Sequence, residues 1–297
     1  MPTRTTFALV LVLSVVGAAV AGPKGAPRYR FRAGEKFAYM VETTTQIETT
    51  GPNLRNTATM SQLIDLTWEV GRVDGDGKAT ITQTIERIRC KAVTPNSTLT
   101  HDTKKPQGGG ASAGADNDSR RKIVERLNGV VGARLSASVD PQGRIDDIRL
   151  IGGVSNFSYW EGVGNPASEA GFRRLMGQLI PLLPENVAAS GDSWSVKGQE
   201  SVAGGKTITE TRYTCNGTEE RDGRSLQKLS LAVTRTTENE SGEVVGTSNG
   251  SGSVYLDTAA GRLIESRLTH TREQEIAVPD AKVTKKVTET ITLKLAD

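Results

Sequence analysis

Apolar and polar residues alternate along most of the chain, which is the period-two pattern of β-strands with one buried face. Residues 37–48 place apolar or β-branched side chains on the odd positions, and residues 60–70 follow with a similar alternation. Turn-forming residues at 51–53 and 74–77 separate these segments, because Asn, Asp and Gly readily adopt the conformations of tight turns. Together with a third strand that follows, they predict a first β segment over residues 28–93.

A second β segment over residues 191–297 repeats this pattern in six strands. We predict these strands at 194–198, 206–215, 225–237, 244–256, 262–275 and 283–295. In the last strand Lys285 and Glu289 fall on the otherwise apolar face. We therefore expect its first half to leave the core or to lie at a sheet edge, where inward-pointing charges discourage pairing with other chains.

Residues 94–119 have a different composition from the strands around them. They are rich in Pro, Gly, Ser, Asn, Asp and Lys, and they include the run Gly108-Gly109-Gly110. With few apolar side chains to bury, such a segment cannot offset the entropy lost on ordering. We predict a disordered insertion here.

Two helices are predicted in the middle region, residues 120–190, on either side of a hairpin at 140–143. The first begins at a cap provided by Asp118 or Ser119. The second, over residues 167–183, is more strongly amphipathic. Its apolar stripe consists of Phe172, Leu175, Met176, Leu179 and Leu183. Such a stripe is typical of a helix that lies on a sheet.

These elements predict a mainly β fold of the α+β type. Long antiparallel strands with one apolar face form a curved sheet or half-barrel, and the two mid-chain helices pack on it and partly fill its concave side. One β-rich domain spans residues 28–297.

Two segments of the chain begin alike. Gly34-Glu35-Lys36-Phe37 and Gly191-Asp192-Ser193-Trp194 each lead through a Thr-rich hairpin to an Asp-Gly turn, at Asp76-Gly77 and Asp222-Gly223. The spacings differ, at 42 and 31 residues counted from Gly34 to Asp76 and from Gly191 to Asp222. Either an internal duplication or similar hairpin turns that arose independently would explain this likeness.

The chain resembles a family of exported bacterial β-rich proteins whose domain has no assigned function. The resemblance lies in these openings, in the strand Trp68-Glu69-Val70 that runs into an Asp-Gly turn, and in the Leu- and Pro-rich helix before Gly191. The resemblance covers most of residues 28–297. It implies a location outside the cytoplasm, and the family supplies no catalytic residues to carry over.

The first 21 residues have the pattern of a cleavable signal peptide. Arg4 precedes an almost wholly apolar stretch over residues 7–20, and Ala19-Val20-Ala21 is a small-x-small cleavage site, so we predict cleavage after Ala21. The alternative is a retained anchor, but about 14 apolar residues fall short of the ~20 needed to span a bilayer. The chain is therefore expected in the periplasm or outside the cell.

Net charge restricts the possible binding partners, and the two cysteines raise the question of a disulfide. The formal charge of +3 becomes +2 without Arg4, and acids and bases interleave, which argues against nucleic acid as a partner. An oxidising compartment permits a disulfide between Cys90 and Cys215, the only two cysteines. Two buried thiols that never meet are the equal alternative.

Candidate catalytic and metal residues are few. Gly246-Thr247-Ser248-Asn249-Gly250 matches G-x-S-x-G, with Asp257 and His270 following in hydrolase order, but a nucleophile elbow requires a helix after the serine and a strand is predicted there. His101 and His270 are the only histidines, and no cysteine pair has metal-ligand spacing. No cofactor or metal site is predicted.

The leading functional hypothesis is a non-enzymatic exported protein that binds an apolar or lipid-like ligand between sheet and helix, with lipid or another envelope protein as partner. The predicted ligand contacts are Phe157, Tyr159, Trp160, Phe172, Leu175, Met176 and Leu179. The first three form an aromatic cluster in the loop before the second helix, where plugging the sheet is the competing role. A secreted serine hydrolase or another envelope hydrolase is the alternative function.

Overall fold

A computed structural model describes residues 26–52, 54–105, 117–153, 168–186, 188–202, 204–278 and 281–296. Twelve strands and two helices make up these ranges. In chain order they are β1 (Lys36–Gly51), β2 (Leu54–Val73), β3 (Ala79–Thr94), β4 (Ser97–Asp102), α1 (Asn117–Val130), β5 (Arg134–Val139), β6 (Ile145–Gly152), α2 (Glu169–Leu179), β7 (Ser193–Val202), β8 (Gly205–Arg221), β9 (Arg224–Asn239), β10 (Val244–Asp257), β11 (Arg262–Val278) and β12 (Ala281–Leu295).

All twelve strands belong to one curved, open, antiparallel sheet, so the predicted fold class is confirmed. Its order is β6-β5-β3-β2-β1-β12-β11-β10-β9-β8-β7, with β4 paired to β3 outside this path. The first and last strands meet in the middle of the sheet, where Tyr39 is opposite Leu295 and Thr50 is opposite Thr284. Thr, Val and Ile fill these strands because β-branched side chains pack well on a pleated surface.

One face of the sheet, here called the inner face, carries most of the core. Alternate residues of β1 and β2 are buried on it, including Tyr39, Val41, Ile64, Leu66 and Trp68. Helix α2 lies on this face and buries Phe172, Leu175, Met176 and Leu179 of the predicted stripe. The opposite, outer face is mostly polar.

Helix α2 contacts both edges of the open sheet. It packs against the edge strand β6, where Glu169 accepts a hydrogen bond from the backbone N–H of Leu150 at 3.3 Å. Its Arg174 forms a 3.3 Å ion pair with Glu200 on β7, the other edge strand. The helix also contacts the central strands β11 and β12. It therefore extends across the inner face from one edge to the other.

The extended segment 28–32 seals one end of the inner face. The backbone N–H of Tyr29 donates to the carbonyl of Pro141 at 2.8 Å, and that of Arg30 donates to Gly261 at 3.0 Å. Arg28 donates from its guanidinium to the carbonyls of Pro184 and Glu185. The hairpin tips of β1–β2, β7–β8, β9–β10 and β11–β12 lie at the other end, which we call the tip end.

The two segments that begin alike share backbone geometry as well as sequence. Gly34 and Gly191 both adopt positive φ, at 82° and 94°, a region that favours glycine. The N–H of Gly34 donates to Val70, whose own N–H donates to Glu35; Gly191, Cys215 and Asp192 make the same pair of bonds. The same turn thus leads into β1 and into β7.

Two predictions for residues 94–190 need correction. Residues 97–102 of the predicted disordered insertion form strand β4, because Ser97–Asp102 pairs with the end of β3 and needs few buried side chains of its own. Residues 106–116 lie outside the described ranges. The second helix ends at Leu179 rather than at 183, since Ile180 precedes Pro181 and adopts an extended conformation.

Of the two alternatives for the cysteines, the structure shows the separate thiols and not the bridge. Cys90 on β3 and Cys215 on β8 are both buried free thiols, and six strands lie between β3 and β8 along the sheet. Burial raises the pKa of the Cys90 thiol. Cys215 instead donates weakly to the carbonyl of Ala188 at 3.6 Å. The sequence could not place the two thiols because it does not give the order of the strands.

Candidate functional site

Toward the tip end, the inner face continues beyond α2 as a half-exposed surface. Ile47, Met60 and Val196 are half-buried there, next to the buried side chains of Val233 and Val287. The strand pairings place all five on the same side of the sheet. In the part of the chain that the structure describes, no second layer covers these aliphatic side chains completely.

Charged and polar side chains lie among these aliphatic residues. His270 on β11 pairs with Glu289 on β12, and Arg235 on β9 pairs with the small residue Ser248 on β10. We call Arg235, His270 and Glu289 the polar cluster. The expectation that the first half of β12 would leave the core or form an edge is wrong, because β12 is paired on both sides and Glu289 is half-buried on the inner face.

Strand β10 makes room for the polar cluster. Its inner-face positions over this stretch are Gly246, Ser248, Gly250 and Gly252. The His270 ring lies over Gly250, since a Cβ placed on that glycine would be only 2.5 Å from the His270 Nδ1 atom. Glycine inside a strand often marks a bend or a close backbone approach, and here it provides space for an imidazole.

The polar cluster combines the buried His270 with the half-buried Arg235 and Glu289, and its hydrogen bonding is incomplete. Only 6% of the His270 surface is exposed, and neither ring nitrogen has a partner among the described residues. The Oε1 atom of Glu289 is also buried and has no hydrogen-bond partner among the described residues. Buried polar atoms in folded proteins are nearly always paired, so unpaired groups of this kind call for a functional explanation.

Burial and mutual charge shift the proton affinities of all three groups. Burial lowers the pKa of His270 to about 4, and the Arg235 cation lowers it as well. Burial raises the pKa of Glu289, which the nearby arginines oppose. Burial lowers the pKa of Arg235; Glu289 opposes that shift and Arg174 adds to it. Groups with shifted pKa values that lie close together are typical of functional sites.

We expect His270 to make the protein less stable in acid. The unfolded state binds a proton at His270 near pH 6.5, whereas the folded state does so only near pH 4. The free energy of unfolding should therefore fall as the pH drops through this window, by roughly 2 to 3 kcal/mol. Glu289 acts with the opposite sign, because its raised pKa costs stability as the pH rises above 4.5.

Urea unfolding of the wild type and of His270→Gln, at pH 7, 5.5 and 4, measures how much His270 contributes to the pH dependence of the free energy of unfolding. The difference between the two proteins removes the contributions that they share, among them those of Glu289, Arg235, Arg174 and Arg272. An identical pH dependence in both proteins would contradict the burial of a neutral imidazole.

The structure brings four of the predicted ligand contacts together. Phe172, Leu175, Met176 and Leu179 all point from α2 onto the sheet, but they are fully packed in the core and do not line an open groove. Phe157, Tyr159 and Trp160 lie outside the described residues, so their role stays a prediction. The half-exposed surface lies beside α2 rather than beneath it.

The G-x-S-x-G match has no catalytic geometry. Residues 246–250 lie inside strand β10, with further strand and no helix after them. His270 lies over Gly250, but Asp257 is at the far end of β10, about 23 Å from Gly250 at the usual rise per residue. These three residues cannot form a triad. Among the described residues, no group of three His, Cys, Asp or Glu side chains could hold a metal ion.

Sequence reasoning missed Arg235 and gave His270 and Glu289 no joint role. The signals were charges at inner-face positions, such as Glu289, together with the spaced glycines of β10. They could not be combined without the register that places Gly250, His270 and Glu289 side by side. A small aromatic-lined cavity at the sealed end, beside Tyr39 and Trp68, was also not foreseen.

No known protein family matches this sequence, and no curated protein is significantly similar to it. Among solved structures, one of lipid–protein interactions in lipovitellin is 13% identical with a TM-score of 0.48, covering 90% of this chain and 26% of that one. A DUF1329 family protein from Desulfovibrio piger is 9% identical with a TM-score of 0.16, covering 86% and 84%. Pseudomonas aeruginosa OccK5 is 6% identical with a TM-score of 0.24, covering 89% and 99%. This chain thus spans about a quarter of the lipovitellin chain, and the function proposed below rests on its own residues.

Proposed function

We propose that this chain is an exported, non-enzymatic protein that binds an apolar, lipid-like ligand on the inner face of its sheet, beside α2. The observation that carries the proposal is the half-exposed surface at the tip end. There, aliphatic side chains from β1, β2, β7, β9 and β12 lie on one curved face, and α2 packs on the same face against β11 and β12. A concave, mostly apolar surface with a few polar groups is the usual form of a small-molecule site.

Apolar burial gives the expected driving force. Each Å² of apolar surface removed from water contributes about 25 cal/mol, so an alkyl chain that covers Ile47, Met60 and Val196 gains affinity in proportion to its length. The predicted contacts Phe157, Tyr159 and Trp160, which precede α2 in the sequence, would add aromatic contacts to the ligand. Export, which the N-terminal 21 residues predict, would give such a carrier access to envelope lipids.

The structure offers a matched pair of variants for testing this proposal. Met60 and Leu63 are both half-buried aliphatic residues of β2, but Met60 lies on the inner face and Leu63 on the outer face. We expect native mass spectrometry of the protein, purified from the envelope without detergent, to reveal a bound lipid-like mass. Met60→Asn should lose most of that mass, whereas Leu63→Asn should retain it.

Two outcomes would contradict the proposal. One is wild-type protein that carries no adduct and takes up none from an extract of envelope lipids. The other is equal retention of the adduct in both variants, which would move the ligand away from the inner face. The thermal midpoints of both variants establish that each is folded.

A further inference from the structure

The guanidinium of Arg235 lies at the centre of the half-exposed surface without a partner of its own. Arg235 extends the inner-face row of Leu231 and Val233 along β9, and its neighbour on β10 is the small Ser248. Among the described residues it makes no hydrogen bond or ion pair within 4 Å, although Glu289 and Arg174 are close enough to act on it electrostatically. A half-buried cation without a direct partner is costly to the fold.

His270 and Glu289 present further unused hydrogen-bonding capacity to the same region. Both nitrogens of His270 and the Oε1 atom of Glu289 are buried and unpaired. Only 6% of the His270 surface is exposed, and its ring lies over Gly250 of β10. Three polar groups from β9, β11 and β12 thus face one place that lacks a complementary partner.

The charges around this place favour an anion. Three arginines lie here, Arg174, Arg235 and Arg272, but only two acidic groups, Glu200 and Glu289. Glu200 is already paired with Arg174. Burial also raises the pKa of Glu289, so this side chain keeps its proton to a higher pH than a surface carboxyl does. A guanidinium with the unpaired His270 ring beside it is suited to a carboxylate or a phosphate.

We propose that the polar cluster binds the anionic headgroup of an amphiphile, a carboxylate or a phosphate, with Arg235 as the principal contact. The alkyl part then lies on the aliphatic surface formed by Ile47, Met60 and Val196. This inference rests on the proposed function, because it gives that ligand its chemical class. It also explains why buried charges occur on an otherwise apolar face.

Calorimetric titration with three probes tests the headgroup site. Decanoate carries both parts of the ligand, 1-decanol carries only the alkyl part, and inorganic phosphate carries only an anion. We expect the wild type to bind decanoate about tenfold or more tightly than 1-decanol, because hydrogen bonds to charged groups are the strong ones. Arg235→Gln should lose this preference and bind both probes as the wild type binds 1-decanol.

Arg212 on β8 provides the matched control. It lies on the outer face of the neighbouring strand and is exposed, so Arg212→Gln changes the net charge equally and should leave decanoate binding unaltered. The unfolding midpoint adds a second measurement. Arg235→Gln should unfold at the same or a higher temperature than the wild type, because it removes a charge that the unliganded fold leaves without a direct partner.

The outcomes separate this inference from the function on which it rests. Equal binding of decanoate and 1-decanol, unchanged in Arg235→Gln, would overturn the headgroup site and leave the apolar carrier intact. Failure of both probes to bind would overturn the carrier as well. Binding of inorganic phosphate alone, lost in Arg235→Gln, would overturn the amphiphile and leave an anion site.

Discussion

Replacing Gly252 by alanine should destabilise the protein by about 3 kcal/mol, the upper range for overpacking a close contact. A Cβ at this position would overlap the carbonyl oxygen of Arg267 and would lie 3.0 Å from the Cα of Leu268. Both atoms belong to the backbone of β11, so neither can move aside without disturbing the pairing of β10 with β11. Urea unfolding monitored by tryptophan fluorescence measures the change.

Gly246 on the same strand and the same face is the control for Gly252. The nearest atom to a Cβ placed there is Thr237 Cβ at 4.0 Å, an ordinary contact. Gly246→Ala should therefore be tolerated, with a gain of about 0.5 kcal/mol from the lower entropy of the unfolded chain. Equal losses in both variants would show that the glycines of β10 matter for some reason other than close strand approach.

Leu179→Ala should cost about 2 to 5 kcal/mol, because Leu179 is fully buried at the end of α2 and its loss leaves a cavity against the sheet. This residue is a predicted ligand contact that the structure places in the core. If α2 is a permanent part of the core, the variant loses stability whether or not ligand is present. Chemical denaturation of protein stripped of ligand gives the required value.

Ile123 on α1 is the control for Leu179. It is an apolar helical residue with 37% of its surface exposed, so Ile123→Ala should change the free energy of unfolding by less than about 1 kcal/mol. A small loss in Leu179→Ala would mean instead that α2 is only loosely held. The ligand could then reach the sheet beneath the helix as well as beside it.

Most of the strands could be read from the sequence because each depends on a local signal. The alternation along β12 and the Asp-Gly turn between β8 and β9 predict where the chain is extended and where it reverses. Strand β4 gave no such signal, since its ordering comes from backbone pairing with β3 rather than from its own apolar side chains. No local sequence pattern predicts the pairing of β1 with β12 either, because the two strands are far apart in the sequence.

The candidate site was harder to predict than the fold. The amphipathic stripe of α2 identified Phe172 and Leu175 as inward-facing, but periodicity alone cannot distinguish a packed core from a ligand surface. Arg235 and Glu289 come from different hairpins, and only the order and register of β9 to β12 bring them within electrostatic reach. Long-range register is therefore what the sequence reading lacked.

The central pairing of β1 with β12 also bears on how the molecule folds. Val41 and Leu293 are opposite each other, so the middle of the sheet cannot form until the final strand has been synthesised. Contacts between such distant positions slow folding, because a long loop must close before they stabilise anything. A nascent chain would then lack its central strand pair, and remain loosely structured, until β12 has been made.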